Sequence, residues 1–134
     1  MRVIVCIDDR GGMLFNQRRQ SRDRLLLEDL WRTADGGRLL VHPFSAKMFA
    51  GTPAVVDEAF LATAGEADTC FVESCHLAPY LDRMRELILY RWNEPYPFDF
   101  SLDVDPARAG FRLAESIDFE GYSHKKITKE RYVR

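Results

Sequence analysis

The sequence predicts an α/β fold: a three-layer domain with a mostly parallel central sheet, helices on both faces and an antiparallel pair of strands at its C-terminal end. Three observations predict it. Short apolar runs alternate with segments of helical period, the order that builds parallel sheets. The first run, VIVCI, is unbroken, as in a strand buried on both faces. Beyond residue 110 the period changes to two, the mark of a strand with one face toward water. With 134 residues the chain is read as a single domain, 1–134, large enough for one sizeable core.

Residues 3–7 are read as a strand inside the sheet, turning at Asp8-Asp9. Ser21 is a suitable helix N-cap, and Asp23 sits favourably in the positive first turn. Leu27, Leu30, Trp31 and Ala34 recur at helical spacing until Gly36-Gly37 stops the helix. RLLVH, 38–42, is a second strand closed by Pro43. VDEAFLATAGEA, 56–67, is expected to be helical and to lead into a third strand, TCFVES, 69–74. HLAPYLDRM gives a short helix and ELILYRW, 86–92, another strand. The Pro- and Asp-marked stretch 93–110 is a long connection, its PYPFDF part covering a sheet edge. Phe111, Leu113, Ile117 and Phe119 alternate with Arg112, Ala114, Ser116 and Asp118, predicting a half-buried strand. KITKERYVR is its partner across the turn EGYSHK.

Composition excludes several classes. Apolar residues make up 46% and charged residues 30% of the chain, the profile of a globular protein rather than a disordered one. The net charge of −2 makes a general nucleic-acid binder unexpected, so an anion site would be local. No apolar run approaches the roughly 20 residues that span a bilayer, and the N-terminus lacks a signal-peptide layout. The three cysteines, Cys6, Cys70 and Cys75, are too scattered for a disulfide framework, which fits a cytoplasmic, reducing location. His42, His76 and His124 lie on different elements without metal-ligand spacing, so no metal is expected. Cys75, at a strand-to-helix junction, is a candidate nucleophile or an idle thiol.

In their order and spacing these segments resemble dihydrofolate reductase. The shared features are Asp9, Gly12, Met13 and Asn16 after the first strand, the acid Asp23 at the first helix, and VDEAFLATAGEADTCFV. ELILYRW and the Ser123-His124 pair before the last strand complete the set. The resemblance implies a ligand cleft between the first loop and the first helix. It makes Asp9, Asn16 and above all Asp23 candidate ligand contacts, Asp23 being the candidate catalytic carboxylate that would face a pterin. The structural alternative for Asp23 is a helix acid serving the dipole.

The departures from the family concern its cofactor. Where the reductases grip NADPH with a Gly-Arg-x-Thr turn, this chain has His42-Pro43-Phe44-Ser45, and Pro43 offers no backbone donor. Where they place a diglycine beside the pyrophosphate, it has Glu73-Ser74-Cys75. No NADPH binding is therefore expected. Arg18, Arg19, Arg22 and Arg24 crowd around Asp23 in the first loop. They either splay into water or capture an anion, to which a guanidinium offers paired donors. The sequence thus predicts a divergent, dihydrofolate reductase-like protein, monomer or weak homodimer. It would bind a small anionic ligand (pterin-, nucleotide- or phosphate-bearing) through Asp9, Asn16, Arg18, Arg19, Arg22 and Asp23. The alternative is a divergent NADPH-dependent reductase of a pterin-like substrate.

Overall fold

A computed structural model describes all residues, 1–134. In chain order it contains β1 (Arg2–Ile7), β2 (Gly12–Phe15), β3 (Arg18–Arg19), α1 (Arg24–Thr33) and β4 (Leu39–Val41). There follow a 3-10 helix (Pro43–Phe49), β5 (Val55–Val56), α2 (Phe60–Thr63), β6 (Thr69–Phe71) and a second 3-10 helix (Ala78–Arg83). The chain closes with β7 (Glu86–Arg91), β8 (Phe100–Ser101), β9 (Arg112–Phe119) and β10 (Ile127–Val133). Seven strands form one sheet in the order β5-β4-β6-β1-β7-β10-β9. Its first five run parallel, and β10 and β9 are antiparallel.

The unbroken apolar run of β1 is explained by its central place between β6 and β7. Side chains alternate across the pleat. Val3, Val5 and Ile7 pack with Leu87, Leu89 and Leu40 on one face, covered by Phe60 and Leu61 of α2 and by Leu77 and Met84 beside the second 3-10 helix. Ile4, Phe71, Ile88 and Tyr90 pack on the other, under Leu26 and Leu30 of α1 and Phe49 of the first 3-10 helix. Helical segments therefore cover both faces, as the sequence predicts.

Several details differ from that reading. Helix α1 begins at Arg24 and its N-cap is Asp23, not Ser21. Only Phe60–Thr63 of the segment 56–67 is helical: Val55-Val56 is held as a strand against β4, and no side chain caps the short helix. Strand β9 is exposed on both faces rather than half-buried. It is the outermost strand, and a register shift in its pairing with β10 breaks the alternation, leaving Leu113 and Ile117 at 49% and 46% exposure.

The largest difference is the arginine-rich loop, which is a hairpin. Strands β2 and β3 pair antiparallel, and β8, from the long connection, adds to the other edge of β2. Asn16 and Gln17 form the tip with φ of 50° and 61°, both left-handed, the twist that a two-residue hairpin turn requires. Gly12 lets the hairpin lie against the connection, since a Cβ there would stand 2.6 Å from Phe98 Cγ. The left-handed backbone is costly for Gln17, which has no short side chain to offset it. Gln17→Gly relieves about 1–2 kcal/mol of left-handed strain and gives back about 0.4–1 kcal/mol in unfolded-chain freedom, so stability is expected to rise by about 0.5–1 kcal/mol, read from urea unfolding. A loss of stability would mean that the glutamine side chain carries contacts outweighing the strain.

Candidate functional site

Topology places the site. From β1 the chain passes over β6 to reach β4, whereas from β6 it passes back over β1 to reach β7. The two connections part above the C-terminal ends of β1 and β6, the crevice where open α/β sheets receive ligands. Here that crevice holds an internal ion pair. Glu73, two residues beyond β6 and 9% exposed, accepts from Arg19 Nε at 2.9 Å and from Arg19 NH2 at 2.8 Å. Ser45, fully buried, donates its hydroxyl to the same carboxylate at 2.7 Å. The hydrogen bond from Arg19 to Glu73 raises the guanidinium's pKa. Arg19 thus reaches the β6 side of the crevice but is occupied by the chain's own acid.

Asp23 is enclosed. Its Oδ1 accepts from the backbone N–H groups of Leu25 (2.9 Å), Leu26 (3.2 Å) and Tyr122 (3.0 Å). Its Oδ2 accepts from Ser123 N (2.9 Å) and Ser123 Oγ (3.3 Å) and lies 2.9 Å from His124 Nδ1. The side chain has no exposed surface, and its lone-pair directions are all used. Burial opposes ionisation, but the bond with His124 and the N–H donors of Ser123, Tyr122 and Leu26 outweigh it and hold the carboxyl well below its usual range. Gly121 permits this approach: a Cβ there would come within 2.6 Å of Asp23 Oδ2. The expected pterin-facing carboxylate is therefore the clamp that joins α1 to the β9–β10 turn.

The clamp continues outward. His124 stacks on Trp92 with centroids 4.6 Å apart, and its Nε2 lies 2.8 Å from Ser21 Oγ. In the sequence Ser21 shows only as a helix cap, and His124 only through the family resemblance. The signal is weak in one dimension, since Asp23 and His124 stand 101 residues apart.

The remaining candidates do not converge. Asp9 is exposed at the turn after β1. It is the neighbouring Asp8, fully buried, that organises the turn by accepting from Arg10 N and Gly12 N at 2.8 and 2.7 Å. Asn16 donates its backbone N–H to Asp99 at the hairpin tip. Arg24 lies over the Tyr122 ring at 4.1 Å and Arg22 borders the crevice beside Asp23. Arg18 is exposed and lines an open groove of about 530 Å³ with Asn16, Gln20 and Tyr96. On the other side of the hairpin a groove of about 700 Å³ is lined by Gln17, His42, Phe44, Ser74, Asp99 and Phe100. Pro43 starts the first 3-10 helix, whose N-cap His42 accepts the Phe44 N–H through Nδ1 at 3.0 Å. The thiols are not activated: burial pushes Cys6 and Cys75 up and Cys70 up to about 12. The second 3-10 helix starts only at Ala78, and the N–H groups of Leu77 and Ala78 at its start are taken by Asp103 rather than offered to Cys75.

Neither the family models nor the curated proteins searched contain a match to the chain. Its fold is similar to that of a solved structure, dihydrofolate reductase from Enterococcus faecalis complexed with NADP(H) and RAB-propyl. The TM-score is 0.69 over 99% of this chain and 95% of that one, at 11% identity. At that identity the likeness concerns the fold. The chain has a dihydrofolate reductase-like α/β fold, with an ion pair and a carboxylate clamp built into the crevice at its centre.

Proposed function

We propose that the protein binds a small anionic ligand beside the β2–β3 hairpin and does not use NADPH. The observation that carries this reading is the division of labour among the loop arginines. Arg19 is held by Glu73 and Arg24 by Tyr122, whereas Arg18 has no ion-pair partner and stands on a concave groove. Gln20 adds a buried Oε1 with no hydrogen-bond partner, an acceptor that calls for a donor from a ligand. A guanidinium and an amide side by side suit a phosphate or carboxylate attached to a donor-bearing ring, as in a nucleotide or a pterin derivative.

Against NADPH stand Pro43, which lacks an N–H, and the turn Glu73-Ser74, whose side chains take the approach that a pyrophosphate needs. One observation favours the alternative of a divergent reductase: the groove of about 700 Å³ lies at the ends of β4 and β6 and includes the Ser74 hydroxyl, buried without a partner.

Thermal shift against a panel of pterins, nucleotides and phosphorylated metabolites separates the two. A ligand at about 100 times its Kd should stabilise the fold by about 2.7 kcal/mol, and Arg18→Ala should abolish that shift without lowering the melting temperature of the free protein. NADPH should give no heat of binding at micromolar concentration by titration calorimetry. Tight NADPH binding, or NADPH-dependent reduction of a pterin, would establish the alternative.

A further inference from the structure

We propose that Ser21, His124 and Asp23 form a nucleophilic acyl-transfer site, with Ser21 and His124 as catalytic residues and Asp23 as the positioning residue. The connectivity is that of a serine–histidine–carboxylate relay: Ser21 Oγ to His124 Nε2 at 2.8 Å, and His124 Nδ1 to Asp23 Oδ2 at 2.9 Å. Such sites are recognised by geometry and roles, not by fold or chain order. The roles follow from the surroundings. Asp23 is an ionised carboxylate and can only accept, so it fixes the proton on Nδ1 and leaves Nε2 as the base facing the serine. Ser123 Oγ, 3.2 Å from Nδ1, donates to the same Asp23 oxygen and does not compete for Nε2. Trp92 packs against the ring from one side, the two planes 30° apart.

The remaining parts of such a site lie next to the serine. The backbone N–H groups of Arg22 and Asp23 donate to no protein acceptor, and the N–H of the residue after the nucleophile is a usual donor to a developing oxyanion. Arg22 borders the same crevice. That crevice, bordered by Ser21, Arg22, Cys6 and Trp92, measures about 20 Å³, room for one water-sized group. The fitting substrate is a small activated ester whose carbonyl oxygen enters the crevice while its acyl and alcohol portions stay outside.

The chemistry balances with water as the co-reactant. Ser21 Oγ bonds to the acyl carbon while its proton passes to His124 Nε2. The carbonyl π pair moves onto oxygen, facing the Arg22 N–H. The carbonyl re-forms, the bond to the alkoxy oxygen breaks, and His124 gives that oxygen its proton. Water, deprotonated by His124, then repeats the sequence on the acyl-serine and releases acid and free Ser21.

The full-length protein is treated with a fluorophosphonate probe and with p-nitrophenyl acetate. The expected result is one adduct on the peptide bearing Ser21, and p-nitrophenol release that falls to background in Ser21→Ala and by about 100-fold or more in His124→Gln. Ser21→Ala removes only a surface-side hydroxyl and should melt near the wild type, so its result stands independently of folding. Because His124 also pins the β9–β10 turn, a second variant is included. Ser21→Cys should be alkylated by iodoacetamide faster than Cys6, Cys70 and Cys75, an acceleration lost on adding His124→Gln. Asp23→Asn, assayed below its own melting temperature, should lower labelling of the folded protein about 100-fold or more through the wrong tautomer. Because Asp23→Asn also frees the turn that carries His124, the pH profile of labelling separates the roles: a purely structural clamp would lower labelling by the same factor at every pH, whereas loss of the relay changes the shape of the profile. No adduct on the folded wild type, adducts persisting in Ser21→Ala, or an unaccelerated Ser21→Cys would each overturn the assignment.

Discussion

Replacing Asp23 by alanine is expected to cost about 4–6 kcal/mol of stability, assembled from one lost helix cap and two or more charge-assisted bonds. The cap contributes about 1 kcal/mol. The larger part comes from the N–H groups of Tyr122 and Ser123 and the ring of His124, which would be left facing a cavity in place of a carboxylate. Against a total stability of about 5–15 kcal/mol, that loss brings the variant close to unfolding at room temperature. Asp23→Asn separates the contributions. Asparagine caps a helix about as well as aspartate, but its amide nitrogen cannot accept from the Ser123 N–H, so the variant should keep the helix start and lose the turn. Urea unfolding at neutral pH reads both.

The same carboxylate sets an acid limit. A group whose folded pKa is depressed contributes stability that is complete above its unfolded pKa and lost as pH falls through the folded one. Asp23 belongs to this class. So does Asp68, which the bond from Arg38, outweighing its burial, lowers to about 2 from the ordinary 3.8. Asp29 and Glu86 are depressed too, burial opposing and Tyr90 and Lys129, or Arg2 and Arg131, prevailing. Stability should therefore be level above about pH 5 and fall steeply from about pH 4 to pH 2. The gap between wild type and Asp23→Asn should narrow over that range. A gap independent of pH would show that the ionised form of Asp23 is not the source of the clamp.

What the sequence reveals and what it conceals divides along contact distance. The unbroken run of β1 shows because burial on both faces removes polar residues from it, and ELILYRW shows for the same reason. The helical period through Leu27, Leu30, Trp31 and Ala34 locates α1, although the cap moves from Ser21 to Asp23 because the turn at 121–124 supplies further donors to that acid. The hairpin is concealed because its left-handed tip is Asn16-Gln17 rather than a glycine pair, so the usual turn signal is missing. The site is concealed most. Arg19 and Glu73 are 54 residues apart, and Ser21 and His124 are 103 apart. Each pair is made by strand order, and neither residue of a pair has an unusual local context. Four arginines around one acid leave a solvated face and an anion site both open in the sequence; in the fold Arg19 pairs with a carboxylate and Arg24 with an aromatic ring.

Glu73→Ala should convert the internal ion pair into an anion site. Removing the acid leaves Arg19, 27% exposed, beside a space sized for a carboxylate, and leaves the Ser45 hydroxyl without its acceptor. Breaking such a pair by deleting one partner typically costs about 3–5 kcal/mol; because Arg19 retains some contact with water, the expected loss is near 3 kcal/mol at low salt. Removing both charges, as Glu73→Met with Arg19→Met, should cost far less, since neither charge is then stranded. Inorganic phosphate is the decisive addition. In the wild type Glu73 occupies both donors of the guanidinium fork and phosphate should leave the melting temperature unchanged through this residue. In Glu73→Ala the fork is open, Ser45 adds a third donor, and a phosphate at about 100 times its Kd should return about 2.7 kcal/mol, nearly the whole loss. Sulfate should do the same, and the double methionine variant should respond to neither. The Arg18→Ala change on top of Glu73→Ala keeps this new site apart from the Arg18 groove, which Arg19 also borders: rescue should persist, because Arg19 and Ser45 carry it. If phosphate fails to restore Glu73→Ala, Glu73 is a packing partner of Arg19 and not a built-in substitute for a bound anion.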